Sequence, residues 1–431
     1  MLRSIRIPTR IAIIGGGICG LTAALRLAEN NFSVSLFEAA PTAGGRTRSF
    51  PDKFSGAWCD NGPHLLNGAY RATQQLLSDC GASNHICWQP SLKLPLWDRQ
   101  RGHFSLSPSP RLPFSLAMLA AVHAMPEHDW RSALAMLRIH LGLQQGKTTG
   151  MSVARMMQRC NAPDALVRDM IEPICLGAMN EPTATADASS FARVLTESFK
   201  SGGSARLGWF NTPLQQALIE PVLRRVVQAG ASIRCRHPVR NITTENVGVS
   251  VDGEPFDAVV IALPAYMRNR LLNLHRPCAT GVITNIHLWY RDHPGLPEPF
   301  IGGIGTLGQW FFDISAQMSA QASGQNRSVR PLRHLCVVIS ADPQNMARNE
   351  LINQVQQELS SISGFSHSPA HVRLVREKRA TVLVRQHRPA STMPGIIDAS
   401  ESPWPGELPA TIEFAVQRGE KAAAEAVKRF K

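Results

Sequence analysis

The chain lacks the marks of several protein classes. The most apolar stretch of the region from about Tyr70 to about Val227, 113–125 (PFSLAMLAAVHAM), falls short of the roughly 20 residues a membrane-spanning helix needs. It is therefore expected to be either a core helix or one lying in a bilayer interface, where the flanking Arg111, His123, His128 and Arg131 would suit it. Aromatic residues make up only 6%, and no nucleic-acid motif occurs, so base-stacking platforms and nucleic-acid partners are not suggested. The nine cysteines are odd in number, widely spaced and without CxxC pairing or a nearby histidine pattern. That argues against a disulfide framework, implies no metal site, and points to a reducing cytoplasm.

A hydrophobic content of 44% against 18% charge excludes a disordered chain, and 431 residues exceed what one core usually supports. Two domains are expected. Lys and Arg outnumber Asp and Glu by 45 to 32, giving +13. Without a nucleic-acid signature, that excess favours an anionic membrane surface as a partner. Arg3, Arg6 and Arg10 before an apolar stretch imitate a secretory signal, but the glycines that follow belong to a complete nucleotide unit, so a retained start is expected.

That unit is the organising element. Ile11 to Ile14 is a continuous apolar run suited to a buried parallel strand, and Gly15, Gly17 and Gly20 follow in GxGxxG spacing. Leu21, Ala24, Leu25 and Ala28 recur at helical intervals, and Val34 to Phe37 forms a second strand ending at Glu38. Gly15 permits the turn, Gly17 the approach of a pyrophosphate and Gly20 close helix–strand packing, with Ile18 and Cys19 opening the helix whose free N–H groups receive the anion. Glu38 lies 18 residues past Gly20, where an acid can accept from ribose hydroxyls. The motif by itself leaves FAD or NAD open.

The segment Ala39 to Thr47 (AAPTAGGRT) resembles the one that follows the second strand in the amine oxidase and phytoene desaturase superfamily, which binds FAD. The resemblance implies that Gly44 and Gly45 run close to the cofactor and that Arg46 faces it or its pyrophosphate. Asp60 to Leu66 (DNGPHLL) is similar to the superfamily's D-x-G-x-H stretch, which passes near the flavin and places Gly62, Pro63 and His64 there. More narrowly, the run from Asp60 to Leu77, with LGWFNTPL at 207–214, ITNIH at 283–287, QWFFD at 309–313, REKRAT at 376–381 and LPATIE at 408–413, resembles the squalene-associated FAD-dependent desaturase family, the hydroxysqualene dehydroxylases.

That family implies an α/β fold: a Rossmann-like FAD-binding domain with a discontinuous mixed α+β substrate domain. The cofactor domain is expected at 1–75, 229–264 and 382–431, and the substrate domain at 76–228, mostly helical, and 265–381. Val247 to Val251 and Glu254 to Phe256 flank Asp252-Gly253, a strong hairpin signal. By resemblance, Val239 contacts adenine through its backbone. A second GxGxxG at 303–308 has no apolar strand leading into it and is followed by QWFF, so it is expected to be a turn between strands rather than a nicotinamide site. Pro409, Thr411 and Ile412 are expected to open a C-terminal helix with proline in its first turn, its positive end at the flavin pyrimidine edge. Upstream, the family's Gly-Asp pair is Ser400-Glu401 here, so Glu401 keeps the charge while the Ser400 side chain stands where the backbone would approach the cofactor.

The resemblance implies an oxidoreductase that reductively removes the hydroxyl of hydroxysqualene, a long isoprenoid, with a squalene synthase-type enzyme as pathway partner. Residence on the cytoplasmic face of the cell membrane follows from such a substrate. His64 is the first candidate for the proton donor and Asp60 the second, more structural one. A carotenoid-type desaturase, an amine oxidase and a non-catalytic flavin-binding partner of squalene synthase are the alternatives.

Overall fold

A computed structural model describes residues 8–144, 146, 148–244, 248–318, 332–384 and 393–431. Arg3, Arg6 and Val247 lie outside the described residues. The chain opens with β1 (Arg10–Ile14), α1 (Ile18–Glu29) and β2 (Ser33–Phe37). A small hairpin, β3 (Ser49–Pro51) and β4 (Trp58–Asp60), leads to β5 (Leu65–Asn67) and α2 (Arg71–Asp79). The first insertion holds β6 (Ile86–Trp88), β7 (Leu94–Asp98), β8 (Gly102–Leu106), α3 (Phe114–His123) and α4 (Trp130–Gln144). It continues through α5 (Val153–Arg159), α6 (Glu172–Met179), α7 (Ala188–Ser198), β9 (Leu207–Phe210) and α8 (Glu220–Gln228).

The chain returns through β10 (Ser232–Arg234), β11 (Ile242–Thr244), β12 (Val249–Val251), β13 (Glu254–Phe256) and β14 (Ala258–Ile261). A second excursion carries α9 (Ala265–Leu271), β15 (Thr280–Tyr290), β16 (Phe300–Ile304), β17 (Trp310–Asp313), β18 (Arg333–Ser340), α10 (Arg348–Ser363) and β19 (His371–Val382). It ends on β20 (Ile396–Asp398) and α11 (Ile412–Phe430).

The first sheet has the order β10-β2-β1-β14-β20, every pair parallel. Its inner strands β1 and β14 are nearly continuous apolar runs because both of their faces are buried; Ile11, Ala12 and Ile13 have no exposed surface. The strand order reverses between β1 and β14, so a crevice opens beyond their C-terminal ends, where α/β sheets of this kind take their ligands. The second excursion builds a mixed seven-stranded sheet, β19-β15-β18-β17-β16-β7-β8, with α10 packed on one face through Leu351, Val355 and Leu359. The expected hairpin at 252–253 forms, with φ of 48° at Asp252 and 88° at Gly253, the left-handed pair such a turn requires.

Packing refines the division into halves. Leu76 and Leu77 of α2, together with Phe210, Leu214, Val222 and Val226, share a core with α1. The core beneath the first sheet thus takes in residues on both sides of the junctions expected at 75/76 and 228/229. Residues 305–309 turn between β16 and β17, as expected of the 303–308 segment, but an apolar strand, Phe300–Ile304, leads into the turn and takes in Gly303 and Ile304. That strand was missed because its two glycines dilute the apolar signal. Glu358 of α10, only 4% exposed, seals the turn by accepting from the Leu307 and Gly308 amides at 2.8 and 3.0 Å.

Candidate cofactor and active site

The glycine turn after β1 is built for an anion. Gly15 has φ of 107°, and a Cβ there would lie 2.5 Å from the Ala262 carbonyl, while a Cβ on Gly20 would run into the Gly15 carbonyl. Gly17 differs, because nothing lies within 4 Å of where its Cβ would be. It is the N-cap of α1 and offers no side chain, so the first amides of the helix, from Ile18 and Cys19 onward, face open space with the dipole's positive end behind them. Gly44 and Gly45 lie against this turn: Gly44 N donates to the Gly16 carbonyl at 2.8 Å, and Gly17 and Gly44 form a parallel bridge. At Gly45, with φ of 57°, a Cβ would come within 3.2 Å of Gly17 Cα. Both glycine segments are thus joined into one cradle.

Glu38 overhangs it. One carboxylate oxygen accepts from the Gly16 amide and the other from the Ala40 amide, each at 2.7 Å, which holds the acid beside the turn where a ribose would need it. Arg46 crosses to the far wall, donating to the Ala380 carbonyl at 2.7 Å and pairing with Glu401. It keeps 35% of its side-chain surface, so it remains reachable from the crevice. Burial opposes its charge, but Glu401 outweighs that and raises its pKa. Val239 is half-buried in the loop after β10, packed with Phe256 and Val249.

The C-terminal segment differs from expectation in two respects. The helix starts at Ile412 with Thr411 as its N-cap, the Thr411 hydroxyl accepting from Phe414 N at 3.1 Å, so Pro409 precedes the helix instead of sitting in its first turn. The Thr411 hydroxyl satisfies one of the first free amides of the helix, and that cap sets the boundary. Ser400 is also not in the way. It is 1% exposed, and its hydroxyl donates to the Ile261 carbonyl at 3.4 Å, so its side chain turns into the sheet end.

His64 and Asp60 sit on the segment leading into β5, and they do not bond to each other. His64 Nδ1 donates to the Gly62 carbonyl at 2.8 Å, leaving Nε2 without a hydrogen-bond partner among the described residues. Burial first, and the Arg46 charge second, push the His64 pKa below its usual 6.5, so the neutral ring dominates at neutral pH. Asp60 accepts from Ser49 Oγ at 2.5 Å and from Leu214 N at 2.9 Å; burial overrides both bonds and pushes it up to about 6. Gly62 passes so close to Asn285 that a Cβ would come within 2.9 Å of its Oδ1, an oxygen that is buried and has no partner.

Some supports were not read from the sequence. Glu413, 2% exposed on α11, accepts from the Ala72 and Thr73 amides and the Thr73 hydroxyl, capping α2 from another helix. Gly419 lets α11 cross α1, since a Cβ would collide with the Cys19 carbonyl and lie 2.8 Å from Thr22 Cβ. A glycine inside the apolar stripe of α11 was the available signal. Although no metal ligand was expected, Cys59, His287 and His334 bring ligand atoms within 4.8 Å of one another. His287 Nδ1 and His334 Nε2 already satisfy each other at 2.9 Å, with Trp289 stacked on His334.

An uncapped glycine-lined helix start, a ribose-positioned acid and an orphaned buried oxygen opposite Gly62 fit a flavin dinucleotide laid across the crevice. Residues 18–427 match the family of flavin containing amine oxidoreductases, and the chain belongs to it. FAD is its cofactor, and it is an oxidoreductase. The chain is 27% identical to the hydroxysqualene dehydroxylase of Zymomonas mobilis, over 95% of this chain and 97% of that one. It is 28% identical to the hydroxysqualene dehydroxylase of Rhodopseudomonas palustris, over 96% and 97%. An oxidoreductase from Methanosarcina mazei has the same fold, with a TM-score of 0.72 and 14% identity over 96% of this chain and 100% of that one.

Proposed function

We propose that this protein reductively removes the hydroxyl of hydroxysqualene to give squalene. The observation that carries the reading is its near full-length likeness to two enzymes of that name. In the reaction the allylic C–O bond breaks, the oxygen leaves as water with one added proton, and the carbon gains a hydride. Reduced flavin, when bound, supplies that hydride equivalent.

The chain's own residues have three tasks. Gly15, Gly17, Ile18, Cys19, Gly20, Glu38, Gly44, Gly45, Arg46 and Val239 hold the nucleotide end, and Gly62, Pro63, Glu401, Pro409, Thr411 and Ile412 hold the flavin end. His64 handles the proton at its free Nε2, with Asp60 as the reserve candidate. Leu65, next in sequence, packs into the apolar cluster of the helical insertion with Trp209, Phe300 and Trp310, which keeps water from the developing cation. Its partners on this reading are the lipid substrate, an anionic membrane surface and a squalene synthase-type supplier. Its place is the cytoplasmic face of the membrane, on which no helix among the described residues is long and apolar enough to span.

The test is anaerobic incubation of the dithionite-reduced, FAD-loaded protein with hydroxysqualene. Squalene should form in amounts matching the flavin oxidised. Dehydrogenation of a saturated isoprenoid by the oxidised protein, without squalene formation, would replace this reading with a desaturase.

A further inference from the structure

Nine large apolar side chains are exposed among the described residues, and five of them, Leu112, Leu116, Trp130, Leu137 and Leu141, belong to one helical hairpin. The hairpin is α3 and α4 with the residue pair before α3. The sequence left 113–125 open between a core and an interfacial helix; α3 buries Ala117, Met118 and Val122 and leaves Leu116 57% exposed.

The second helix makes the stronger case. Ser132, Ala135 and Ile139 turn inward at 1%, 0% and 3% exposure and join the insertion's core. Trp130, Leu137 and Leu141 turn outward at 62%, 44% and 48%, and half-buried Leu134 completes an i, i+4, i+7, i+11 stripe. A helix that packs on a protein by one face normally shows water a polar one. Here both faces are apolar, and a contiguous exposed apolar surface marks an interaction site.

The rim is basic. Arg111, Arg131 and Arg138 are exposed along the stripe, with the Arg131 guanidinium 5.8 Å from the Trp130 ring. The acids nearby are already engaged: Glu127 pairs with Arg168 at 2.7 Å, and Asp129 caps α4 by accepting from the Arg131 amide at 2.9 Å. The platform is also fixed in place. Asp169, fully buried, accepts from Arg101, Arg168 and His128, and His128 in turn bonds Ser132 at the start of α4.

We propose that the outer face of α3 and α4 is the surface by which this protein docks on an anionic lipid bilayer, with Trp130, Leu137 and Leu141 seated at the level of the headgroups. Charge complementarity selects this occupant over a second copy of the chain, because a two-fold pairing of the same face would set its arginines against each other. The face lies over the core cluster that reaches Leu65, so docking brings the bilayer to the side of the protein where a lipid would enter. That last consequence rests on the lipid substrate proposed above, whereas the docking itself does not.

The experiment is co-sedimentation of the FAD-loaded protein with vesicles of phosphatidylglycerol and phosphatidylcholine, and with phosphatidylcholine alone, at low and high salt. The native protein should bind the anionic vesicles in a salt-sensitive way, and brominated lipid should quench its fluorescence through Trp130. L137S/L141S should weaken partitioning about tenfold per leucine. R131Q/R138Q should weaken binding to anionic vesicles about fivefold per arginine and leave phosphatidylcholine unaffected. Variants that sediment like the native protein would overturn the proposal, as would a native dimer that L137S/L141S converts to monomers. Turnover of detergent-dispersed hydroxysqualene should be the same in both variants; its absence from all forms would remove the proposed reaction and leave the docking result standing.

Discussion

Replacing Glu38 with alanine removes two backbone hydrogen bonds at once, from Gly16 and from Ala40, both at 2.7 Å. Bonds to a charged acceptor contribute about 1.5–3 kcal/mol each. Glu38 is half-buried, so the lower end applies, giving about 3 kcal/mol for the two. Part of that loss falls on the empty protein, whose glycine turn loosens, and part on binding, where a contact to the ribose disappears as well. At about 1.4 kcal/mol per decade, the dissociation constant for FAD should rise about 10- to 100-fold. Glu38→Gln keeps one acceptor oxygen and should fall near the lower figure. Titration of the stripped protein with FAD, followed by flavin fluorescence, measures this directly. An alanine variant that takes up FAD as tightly as the native protein would show that the acid is not part of the site, and with it the reading of the β2 terminus would fail.

Acidification should act on two buried groups in opposite senses. His287 is lowered from 6.5 to about 4, chiefly by burial, so its stabilising neutral form is lost as pH falls from about 6.5 toward 4. Asp60 is raised from 3.8 to about 6, also by burial, so its ionisation destabilises the fold above about 6 and is relieved as pH falls. Between pH 7 and 4.5, urea unfolding of His287→Gln should lose about 2–3 kcal/mol less than the native protein, and Asp60→Asn about 2 kcal/mol more; parallel slopes in all three would refute both assignments. Gly419→Ala should cost about 1–3 kcal/mol by forcing α11 off α1, with FAD retention reduced; an unchanged thermal midpoint would mean that the helices can separate freely. His64→Ala should keep FAD while losing about 10²–10⁴-fold in dehydroxylation, and the native rate should climb below pH 6.5 as the ring becomes protonated. If Asp60→Asn loses the reaction and His64→Ala does not, the proton comes from Asp60.

Local features settled much of this protein before any folding was considered. The run Ile11 to Ile14, the glycines at 15, 17 and 20 and the acid at 38 dictate strand, turn and helix within one continuous segment, because each residue type there answers a backbone or anion requirement of its neighbours. The hairpin at Asp252-Gly253 is legible for the same reason. What folding alone decided are contacts between distant segments. Arg46 meets Glu401 across 355 positions, Glu413 caps α2 across about 340, and Gly419 matters only because α1 lies against it. The Ser400 side chain, read in sequence as an intrusion, is turned aside by the Ile261 carbonyl of another strand. Even the second apolar stripe of α4 is plain in sequence only as hydrophobicity; that it faces outward follows from which of its two faces the insertion's core had already taken.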